Sequence, residues 1–401
     1  MNLLDFNCEI ITPLFSGGAE TRLHPELRGP SVRGAMRYWY RALVGGSDLV
    51  AAGSEEERLK ALKQHETQVF GNTERGSPIS VIVRAQEPVQ VGTFQRDRAI
   101  RTEDGGFLPS GKDYLLWSMA ASGRPGTPRY QPDREFIQPG TKFTIRLQSP
   151  AQGGEEALRK ATASLWLLAN LGALGARANR GAGSFQVQTE SPAKEWVAFK
   201  SCRTIEELQL YLSKGIRQCL SLIGNGAATW RNFAEMPAYD VLCPTTAEVW
   251  VVSDPSTDWG SAMDALNGIG AKLWDYRSHR SPLGKADHDA VLNWLEGGDR
   301  TPQIRRAVFG LPTPFRYSEG GPSDVIISEV SDRRASPLRI RVTRLSTGIY
   351  VGVLTLFKSC FLPKEANLQL QTRRWKAPAP TDYEVIRDFI QTFGVRKEVA
   401  L

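Results

Sequence analysis

The sequence contains few residues of the kinds that most often carry catalysis or bind metal ions. Only four of its 401 residues are histidines, and none belongs to a recognisable motif: His24, His65, His279 and His288. Histidine is the usual general base near neutral pH, so its scarcity leaves little material for acid–base chemistry. No G-x-S-x-G, H-E-x-x-H or carboxylate cluster is present either. The sequence therefore predicts no catalytic residues and no metal site.

Other cofactor sites are also unsupported. The stretch Asp287-His288-Asp289 resembles a metal-binding sequence, but it falls at the start of an amphipathic helical pattern, where acidic residues are favoured as caps. The five cysteines form no C-x-x-C pair and have no histidine at ligand spacing, so we interpret them as reduced core thiols. Neither Gly111-Lys112-Asp113 nor Gly284-Lys285-Ala286 is followed by the serine or threonine of a phosphate-binding loop. We predict no cofactor.

Long apolar runs are missing as well. No stretch approaches the roughly 18 consecutive apolar residues that a membrane span needs, and the start, MNLLDFNCEIITPLF, has no basic segment of the kind that opens a secretion signal. We therefore expect a soluble, cytoplasmic protein without a membrane partner. A length of 401 residues favours two domains. The net charge of +7 favours a polyanionic partner.

The order of secondary structure in the first half points to an α+β fold. Apolar alternation and helical periodicity predict this series: strand 3–12, helix 31–43, helix 55–70, strand 79–85, strand 142–148, helix 155–171 and strand 183–189. A long irregular insertion, residues 87–140, interrupts the series, and loops of such length are usually functional or partly disordered. The order is the βαββαβ unit of ferredoxin-like, RRM-type domains, a fold that hosts many functions.

An internal echo relates the less regular second half to the first. The segment VFGNTERGSPISVIV at 69–83 matches VFGLP…RRASPLRIRV at 308–342 in its V-F-G, its basic residue shortly before Ser-Pro, and its alternating strand. We interpret this echo as duplication of one domain type. The prediction is two ferredoxin-like domains with long insertions, residues 1–190 and 191–401, with a boundary near Ser191-Pro192.

The segment PELRGPSVRGAMRYWYRAL, Pro25 to Leu43, combines an apolar helix face with a basic stripe. We predict Ser31 as the N-cap. The apolar face is formed by Val32, Met36, Trp39 and Leu43, and the basic residues are Arg28, Arg33, Arg37 and Arg41. The stripe has no acidic partner at helical spacing, and phosphate oxygens fit guanidinium forks. Alternatively, the arginines pair with acidic residues of another element or subunit. Trp39 and Tyr40 could stack on bases, although Trp39 lies on the apolar face.

The segment NLGALGARANRGAGSF, Asn170 to Phe185, is a glycine-rich loop with two arginines. It follows a helix and enters a strand, an order that excludes a Rossmann fingerprint. Glycines allow close approach of another chain, and bare amides with arginines can cradle a sugar-phosphate backbone. The alternative is a helix C-cap followed by a tight turn. The RNA contacts predicted within this loop, residues 172–183, are Gly175, Arg177, Arg180, Gly181 and Gly183.

A third basic cluster lies in the second half and contains Arg333, Arg334, Arg339, Arg341 and Arg344. In the strand 338–345, Arg339 and Arg341 fall on one face, while Ile340 and Val342 fall on the other. That face could be a basic binding surface or a solvated strand face. Arg333 and Arg334, just before the strand, are added to the predicted RNA contacts.

These motifs together resemble the RAMP superfamily of CRISPR-associated proteins, and within it the family of the first subunit of type III-B Cmr effector complexes. The matching pieces are ITPLFSGGAE, PELRGPSVRGAMRYWYRAL, LGALGARANRGAGSF, and FGLP with RRASPLRIRV. The resemblance implies two ferredoxin-like domains and a place in a particle that carries a guide RNA and captures complementary RNA, with cleavage left to other subunits. One departure is Ala178-Asn179, where family members commonly have further basic residues.

The predicted function is therefore a non-catalytic RNA-binding subunit that contacts CRISPR guide RNA, target RNA or both, together with other Cmr subunits. Two alternatives stay open. Some RAMP relatives cleave guide precursors without metal by using a histidine, and His24 is the histidine near the first motif. The basic stripe could also contact a protein neighbour and never touch RNA, which would make the chain a scaffold.

Overall fold

The computed structural model describes residues 2–50, 53–101, 107–188, 195–257, 259–296, 303–316, 323–372 and 376–401. The helices are α1 (Gly29–Gly45), α2 (Glu55–Phe70), α3 (Gly111–Leu116), α4 (Glu155–Leu171), α5 (Ile205–Ile223), α6 (Ala262–Arg277), α7 (Pro282–Leu295) and α8 (Glu384–Gln391). Short 3₁₀ helices span Trp117–Met119 and Arg305–Phe309. The strands are β1 (Asn2–Ile10), β2 (Ser80–Ala85), β3 (Val91–Thr93), β4 (Ile100–Arg101), β5 (Phe107–Leu108), β6 (Glu135–Ile137), β7 (Lys142–Ser149), β8 (Phe185–Val187), β9 (Ala247–Ser253), β10 (Thr313–Arg316), β11 (Ser323–Ser328), β12 (Leu338–Arg344), β13 (Tyr350–Phe357), β14 (Leu368–Leu370), β15 (Lys376–Ala377) and β16 (Val395–Val399).

The first sheet has the strand order β2-β7-β1-β8 and is antiparallel throughout. Its central strand β1 alternates as a half-buried strand should, because Phe6, Cys8 and Ile10 are buried and their neighbours are more exposed. Helices α1 and α4 pack against each other beside this sheet. With helices after the first and third strands, this is the ferredoxin-like arrangement, so the predicted fold of the first half is confirmed.

The second sheet repeats this topology with the order β12-β13-β9-β16, again antiparallel. The echoed segments fall on equivalent elements, since β2 and β12 are both the second strand of their sheets. Gly71 and Gly310, which close the two V-F-G sequences, both have positive φ angles, 65° and 114°. The fold thus supports the duplication interpretation. The boundary at Ser191-Pro192 lies outside the described residues, and the domain division stays a prediction.

Helix α5 connects the two sheets. It approaches α4 at Gly215, where an added Cβ would lie only 2.0 Å from the Trp166 ring, so a larger residue would push the helices apart. On its other side, Ser213 Oγ donates a hydrogen bond to the carbonyl oxygen of Ala400, at 2.6 Å. Arg344 of β12 also forms a two-pronged ion pair with Glu9 of β1, at 2.8 and 2.7 Å. These contacts fix the two ferredoxin-like units against each other.

The insertion at 87–140 is more regular than the sequence predicts. It contains the paired strands β3 and β6, the paired strands β4 and β5, and the helix α3. Arg22 holds the middle of the insertion in place, because its Nη2 atom donates to the carbonyl oxygens of Met119 and Ala120, both at 2.9 Å. A further small sheet, β10-β11-β14-β15, lies within the second half.

Two predicted helix starts are wrong. Helix α1 begins at Gly29 rather than behind Ser31, because Pro30 suits the first helical turn. An added Cβ at Gly29 would lie 2.5 Å from the carbonyl oxygen of Val81, so this start also needs glycine. Helix α7 begins at Pro282 behind the N-cap Ser281, which places Asp287 inside the helix and not at its cap. In the part of the chain that the structure describes, no helix is long and apolar enough to cross a membrane.

Candidate RNA-binding surfaces

A cavity of about 1260 Å³ lies between the glycine-rich loop, the insertion and the second ferredoxin-like unit. Its walls come from α3, α6, the Phe309–Pro314 segment and the residues just before β12. Six arginines line it, and we call it the arginine cavity: Arg96, Arg177, Arg180, Arg277, Arg306 and Arg334. The structure therefore brings the predicted loop residues Gly175, Arg177 and Arg180 together with Arg334, which lies about 150 residues further along the chain.

The glycine-rich loop turns sharply, and its glycines make that turn possible. Gly175, Gly181 and Gly183 have φ angles of 78°, 86° and 68°. An added Cβ at Gly183 would lie 1.9 Å from the carbonyl oxygen of Leu174. The Gly183 amide donates to the carbonyl oxygen of Pro13 at 2.9 Å, so it is already used inside the fold. Gly183 therefore serves the tight turn, as the alternative interpretation of this loop predicts. The proposed contact with RNA depends on the arginines of the loop.

Arg177 and Arg180 point into the cavity from this turn. Arg177 Nε donates to the carbonyl oxygen of Leu115 at 2.8 Å, and Arg180 Nη2 donates to that of Phe309, also at 2.8 Å. The buried Nη1 atom of Arg180 has no hydrogen-bond partner among the described residues, and neither has Nε of Arg277. A buried donor without a partner is costly. The cavity therefore holds donors that an incoming oxygen ligand could satisfy.

The charges in the cavity are poorly compensated by its own residues. Burial lowers the pKa of Arg180 to about 9, and the charges of Arg277 and Arg177 contribute in the same direction. Burial likewise lowers the pKa of Arg177 to about 10. Among the described residues, the wall has two aspartates against its six arginines: Asp97, which is paired with Lys112 Nζ at 2.5 Å, and Asp113, which accepts the Asp97 amide at 2.8 Å. A cationic cavity of this kind favours an anion.

Arg333 and Arg334, the two RNA contacts predicted in the second half, have different environments. Arg334 Nε donates to the carbonyl oxygen of Phe361 at 2.7 Å, and its side chain lines the arginine cavity. Arg333 is exposed and is not part of the cavity wall. Arg277 lies 5.2 Å from the centre of the Phe309 ring, and Arg306 lies 3.9 Å from that of Phe315. Sequence reasoning missed Arg96, Arg277 and Arg306, which come from three separate segments outside the predicted motifs.

A second basic recess, of about 1280 Å³, lies between α1, α2 and the loop before β2; we call it the α1–α2 groove. Its basic residues are Arg33, Arg37, Lys60, Lys63 and Arg75. The predicted residues Arg28 and Arg41 lie outside its lining. Lys60 and Lys63 are not among the contacts predicted from the sequence. With Gln64 they have the spacing of one helix face, and that spacing could have indicated them. The groove occupies in the first unit the place that the arginine cavity occupies in the second, beside the V-F-G turn.

The arginine stripe of α1 is partly neutralised. The carboxylate of Glu66, on α2, accepts hydrogen bonds from Arg37 Nε and from Arg41 Nη1, the latter at 2.9 Å. Arg33 donates to the carbonyl oxygen of Phe70, and Arg28 Nε lies 3.9 Å from Glu26. The predicted alternative, pairing with an acidic residue of another element, is thus correct for Arg37 and Arg41. Their contact with RNA stays a prediction.

Replacing Glu66 with glutamine is expected to lower the free energy of unfolding by about 1–2 kcal/mol, because Arg37 and Arg41 lose their shared carboxylate while remaining partly solvated. Urea unfolding would measure the change. Glu56→Gln, at an exposed position of the same helix, is the control and should have little effect. Equal stability of the Glu66 and Glu56 variants would show that the pairing is too weak to neutralise the stripe.

Other predicted roles are settled by burial. Trp39 is 2% exposed and Tyr40 is 1% exposed, so neither stacks on a base, and the core role expected for Trp39 is confirmed. Arg341 is 1% exposed and donates to the carbonyl oxygens of Gly172 and Phe185. Arg339 bonds Asp240 at 3.2 Å. Arg341 is therefore too buried to belong to a solvated strand face or to a binding surface. Arg339 is half-buried.

Asp287 and the cysteines, which lie outside these recesses, have roles in the fold. Among the described residues, no three histidine, cysteine, aspartate or glutamate side chains are grouped so that they could hold a metal ion. The Asp287 carboxylate accepts the backbone amides of Arg305 and Arg306, at 3.2 and 2.7 Å, and burial raises its pKa. The cysteines are unpaired thiols, and four of the five are buried, as expected.

Comparison with known proteins agrees with this architecture. Residues 7–186 match the model of the RAMP superfamily. The chain is 27% identical to CRISPR system Cmr subunit Cmr1-1 of Pyrococcus furiosus over 91% of this chain and 90% of that protein. It is 38% identical to subunit Cmr1-2 of the same organism over 46% of this chain and 94% of that protein. The crystal structure of Cmr1 from Pyrococcus furiosus in its apo form has a TM-score of 0.60, with 21% identity, 100% of this chain covered and 99% of that one.

Two ferredoxin-like units and a glycine-rich loop after the last helix of the first unit define a protein of the RAMP superfamily. Within that superfamily, the match with Cmr1-1 extends over both halves of the chain, and Cmr1-2 adds a second relative of the same kind. The chain belongs to the Cmr1 family. The resemblance inferred from the sequence motifs is thereby confirmed.

Proposed function

We propose that this chain is a non-catalytic RNA-binding subunit of a type III-B CRISPR ribonucleoprotein, and that it holds RNA phosphates in the arginine cavity. Its relatives are named as Cmr subunits, which supports a place in such a complex beside other subunits. Guide RNA, target RNA or both are the proposed ligands. The α1–α2 groove is proposed as a second, weaker contact with the same RNA.

The observation that carries the proposal is a pair of cavity arginines whose guanidinium groups are not fully hydrogen-bonded. Arg180 and Arg277 each keep a buried donor atom without a hydrogen-bond partner among the described residues. A phosphate group offers several oxygens to such donors and supplies negative charge to a wall in which arginines outnumber aspartates by six to two. Binding of phosphate would satisfy the donors and remove the electrostatic cost of the clustered charges. Carboxylate ligands could do the same singly, but six arginines around one cavity fit a chain of phosphates.

Recognition of this kind reads the backbone rather than the sequence. Guanidinium contacts with phosphate fix the position of a nucleic acid and carry no base information. In RNA-guided systems, base pairing supplies sequence specificity, and the protein holds shape and charge. A subunit that binds phosphates without sequence preference therefore suits a particle in which the guide RNA selects the target.

The purified protein is expected to bind fluorescein-labelled single-stranded RNA, with an affinity that falls steeply as salt rises. Each phosphate contact should add about 0.7 to the slope of log affinity against log salt. Two RNAs of unrelated sequence should bind equally well. Fluorescence anisotropy over a salt series measures both quantities.

Absence of RNA binding at low salt would overturn the proposal. Binding of one sequence far more tightly than the other would contradict backbone recognition. The same samples, incubated in chelator and separated on a denaturing gel, test the non-catalytic part of the proposal. Specific cleavage that disappears in His24→Ala would make the chain an endoribonuclease instead.

A further inference from the structure

Trp117 stands apart from the other tryptophans that the structure describes. It is 58% exposed, whereas Trp39, Trp166 and Trp259 are at most 2% exposed and the remaining described tryptophans are buried or half-buried. It belongs to the 3₁₀ helix Trp117–Met119 of the insertion. An exposed ring of this size forfeits the stabilisation that burial would give it. A bound molecule that covered the ring would provide the burial that the described fold does not.

The ring lies in the wall of the arginine cavity, and the backbone around it is firmly held. Arg96 Nη2 donates to the Trp117 carbonyl oxygen at 3.2 Å. Arg177 Nε donates to Leu115 O at 2.8 Å, and Arg22 holds the carbonyl groups of Met119 and Ala120. Two cavity arginines are therefore bonded to the same short segment that carries the tryptophan.

The preceding helix α3 is fixed against the second unit. The carbonyl oxygen of Gly111 would lie 2.0 Å from a Cβ added at Gly270, so the two helices approach at a pair of glycines. The Lys112 amide donates to Asn267 Oδ1 at 2.9 Å. Arg277 of α6 also donates to Tyr114 Oη at 2.7 Å. Trp117 thus projects from a rigid support, which keeps its ring exposed beside the arginines.

We propose that Trp117 is a stacking platform for one base of the RNA whose phosphates lie in the arginine cavity. This inference rests on the proposed function and gives the 87–140 insertion a role in it. Every base has a flat π face, so stacking adds affinity without a strong sequence preference. The tryptophan supplies a contact that depends little on salt, and the arginines supply one that depends strongly on salt. Acidic side chains in this wall would favour a basic protein segment as the partner. Because the wall is lined by arginines, it favours a nucleotide with its negative phosphate.

Trp117→Ala is expected to weaken binding of single-stranded RNA by about tenfold, within the range for removal of one stacked base. The slope of log affinity against log salt should stay unchanged, because every arginine that binds phosphate is still present. Trp117→Phe should recover most of the affinity, since it keeps an aromatic face. Tyr130→Ala is the matched control, because Tyr130 is an exposed aromatic residue of the same insertion outside the cavity wall.

Inorganic polyphosphate is the second probe, because it has the charge of RNA and no bases. Wild type and Trp117→Ala should bind it equally well. If Trp117→Ala weakened polyphosphate and RNA alike, the ring would support the cavity wall and the stacking role would be overturned. If wild type bound RNA with a steep salt dependence and Trp117→Ala bound it as tightly, this inference would fail while the proposed function stood. Failure of wild type to bind RNA would reject the proposed function itself.

Discussion

Replacing Arg180 and Arg277 together with methionine is expected to weaken RNA binding by about a hundredfold, since each change removes a charge-assisted hydrogen bond in a buried site. The salt slope should fall by about 0.7 for each arginine–phosphate interaction that the change removes. Methionine keeps most of the side-chain volume, so the packing of the cavity wall is largely preserved. Fluorescence anisotropy with single-stranded RNA over a salt series measures both effects.

The corresponding change in the α1 stripe should have a smaller effect. Glu66 already neutralises part of the charge of Arg37 and Arg41, so these arginines give up a partner when they bind phosphate. Replacing Arg33, Arg37 and Arg41 together is expected to cost roughly tenfold in affinity. A triple variant of Arg124, Arg129 and Arg203, which are exposed and outside both recesses, provides the charge-matched control. A larger decrease in affinity from the stripe than from the cavity would reverse the assignment of the main site.

Arg180→Met alone should lower RNA affinity without lowering stability. Burial and neighbouring arginines lower the pKa of Arg180 in the folded protein to about 9, so its charged form is disfavoured by folding. A base with a depressed folded-state pKa reduces stability at every pH below that value, and neutral pH lies well below it. Arg180→Met removes this cost together with one hydrogen bond to Phe309. The free energy of unfolding is therefore expected to stay level or rise while RNA binding falls.

The topology could be predicted from the sequence because it depends on local patterns. Alternation in β1 and helical periodicity in α4 reflect which side chains face the core, and those patterns place each element along the chain. Helix 155–171 has the predicted bounds, and the apolar face of α1 is buried as expected. The echo between residues 69–83 and 308–342 also matches equivalent strands, β2 and β12, of the two sheets.

The roles of individual arginines could not be predicted in the same way. Helical spacing shows that α1 supplies no acidic partner, but Glu66 comes from α2, and its position depends on how the two helices pack. The glycine-rich loop marks Arg177 and Arg180, but the arginine cavity also takes Arg96 and Arg277 from distant segments, and no local pattern marks those two. Trp117 likewise lies in an insertion without a sequence signature. Such sites depend on long-range packing, which a single sequence does not show.

Arg341 illustrates the same limit on a strand. Alternation correctly places it opposite Ile340, and an arginine on that face would ordinarily reach solvent. The ends of the glycine-rich loop cover this face instead, because Arg341 donates to the carbonyl oxygens of Gly172 and Phe185. The same loop also pairs with the edge of β12, where Asn179 O accepts the amide of Ile340 at 3.2 Å. Both faces of β12 are thus buried at this point, and Arg341 is enclosed between the first and second units.

Arg341→Ala is expected to lower the free energy of unfolding by about 3–4 kcal/mol. The change leaves the carbonyl oxygens of Gly172 and Phe185 without their donor and opens a cavity where the side chain lay. Removal of a buried charge offsets part of this decrease, since burial lowers the pKa of Arg341 to about 9 and so disfavours its charged form. Urea unfolding followed by circular dichroism would measure the difference.

Arg344→Ala is the comparison on the same strand. Arg344 is more exposed and pairs with Glu9, so its removal should cost about 1 kcal/mol or less. Equal destabilisation by the two variants would contradict the structural role of Arg341. A large decrease in stability from Arg341→Ala alone would show that the carbonyl groups at the two ends of the glycine-rich loop are held by the second unit. The conformation that aims Arg177 and Arg180 into the cavity would then depend on a buried arginine that never contacts RNA.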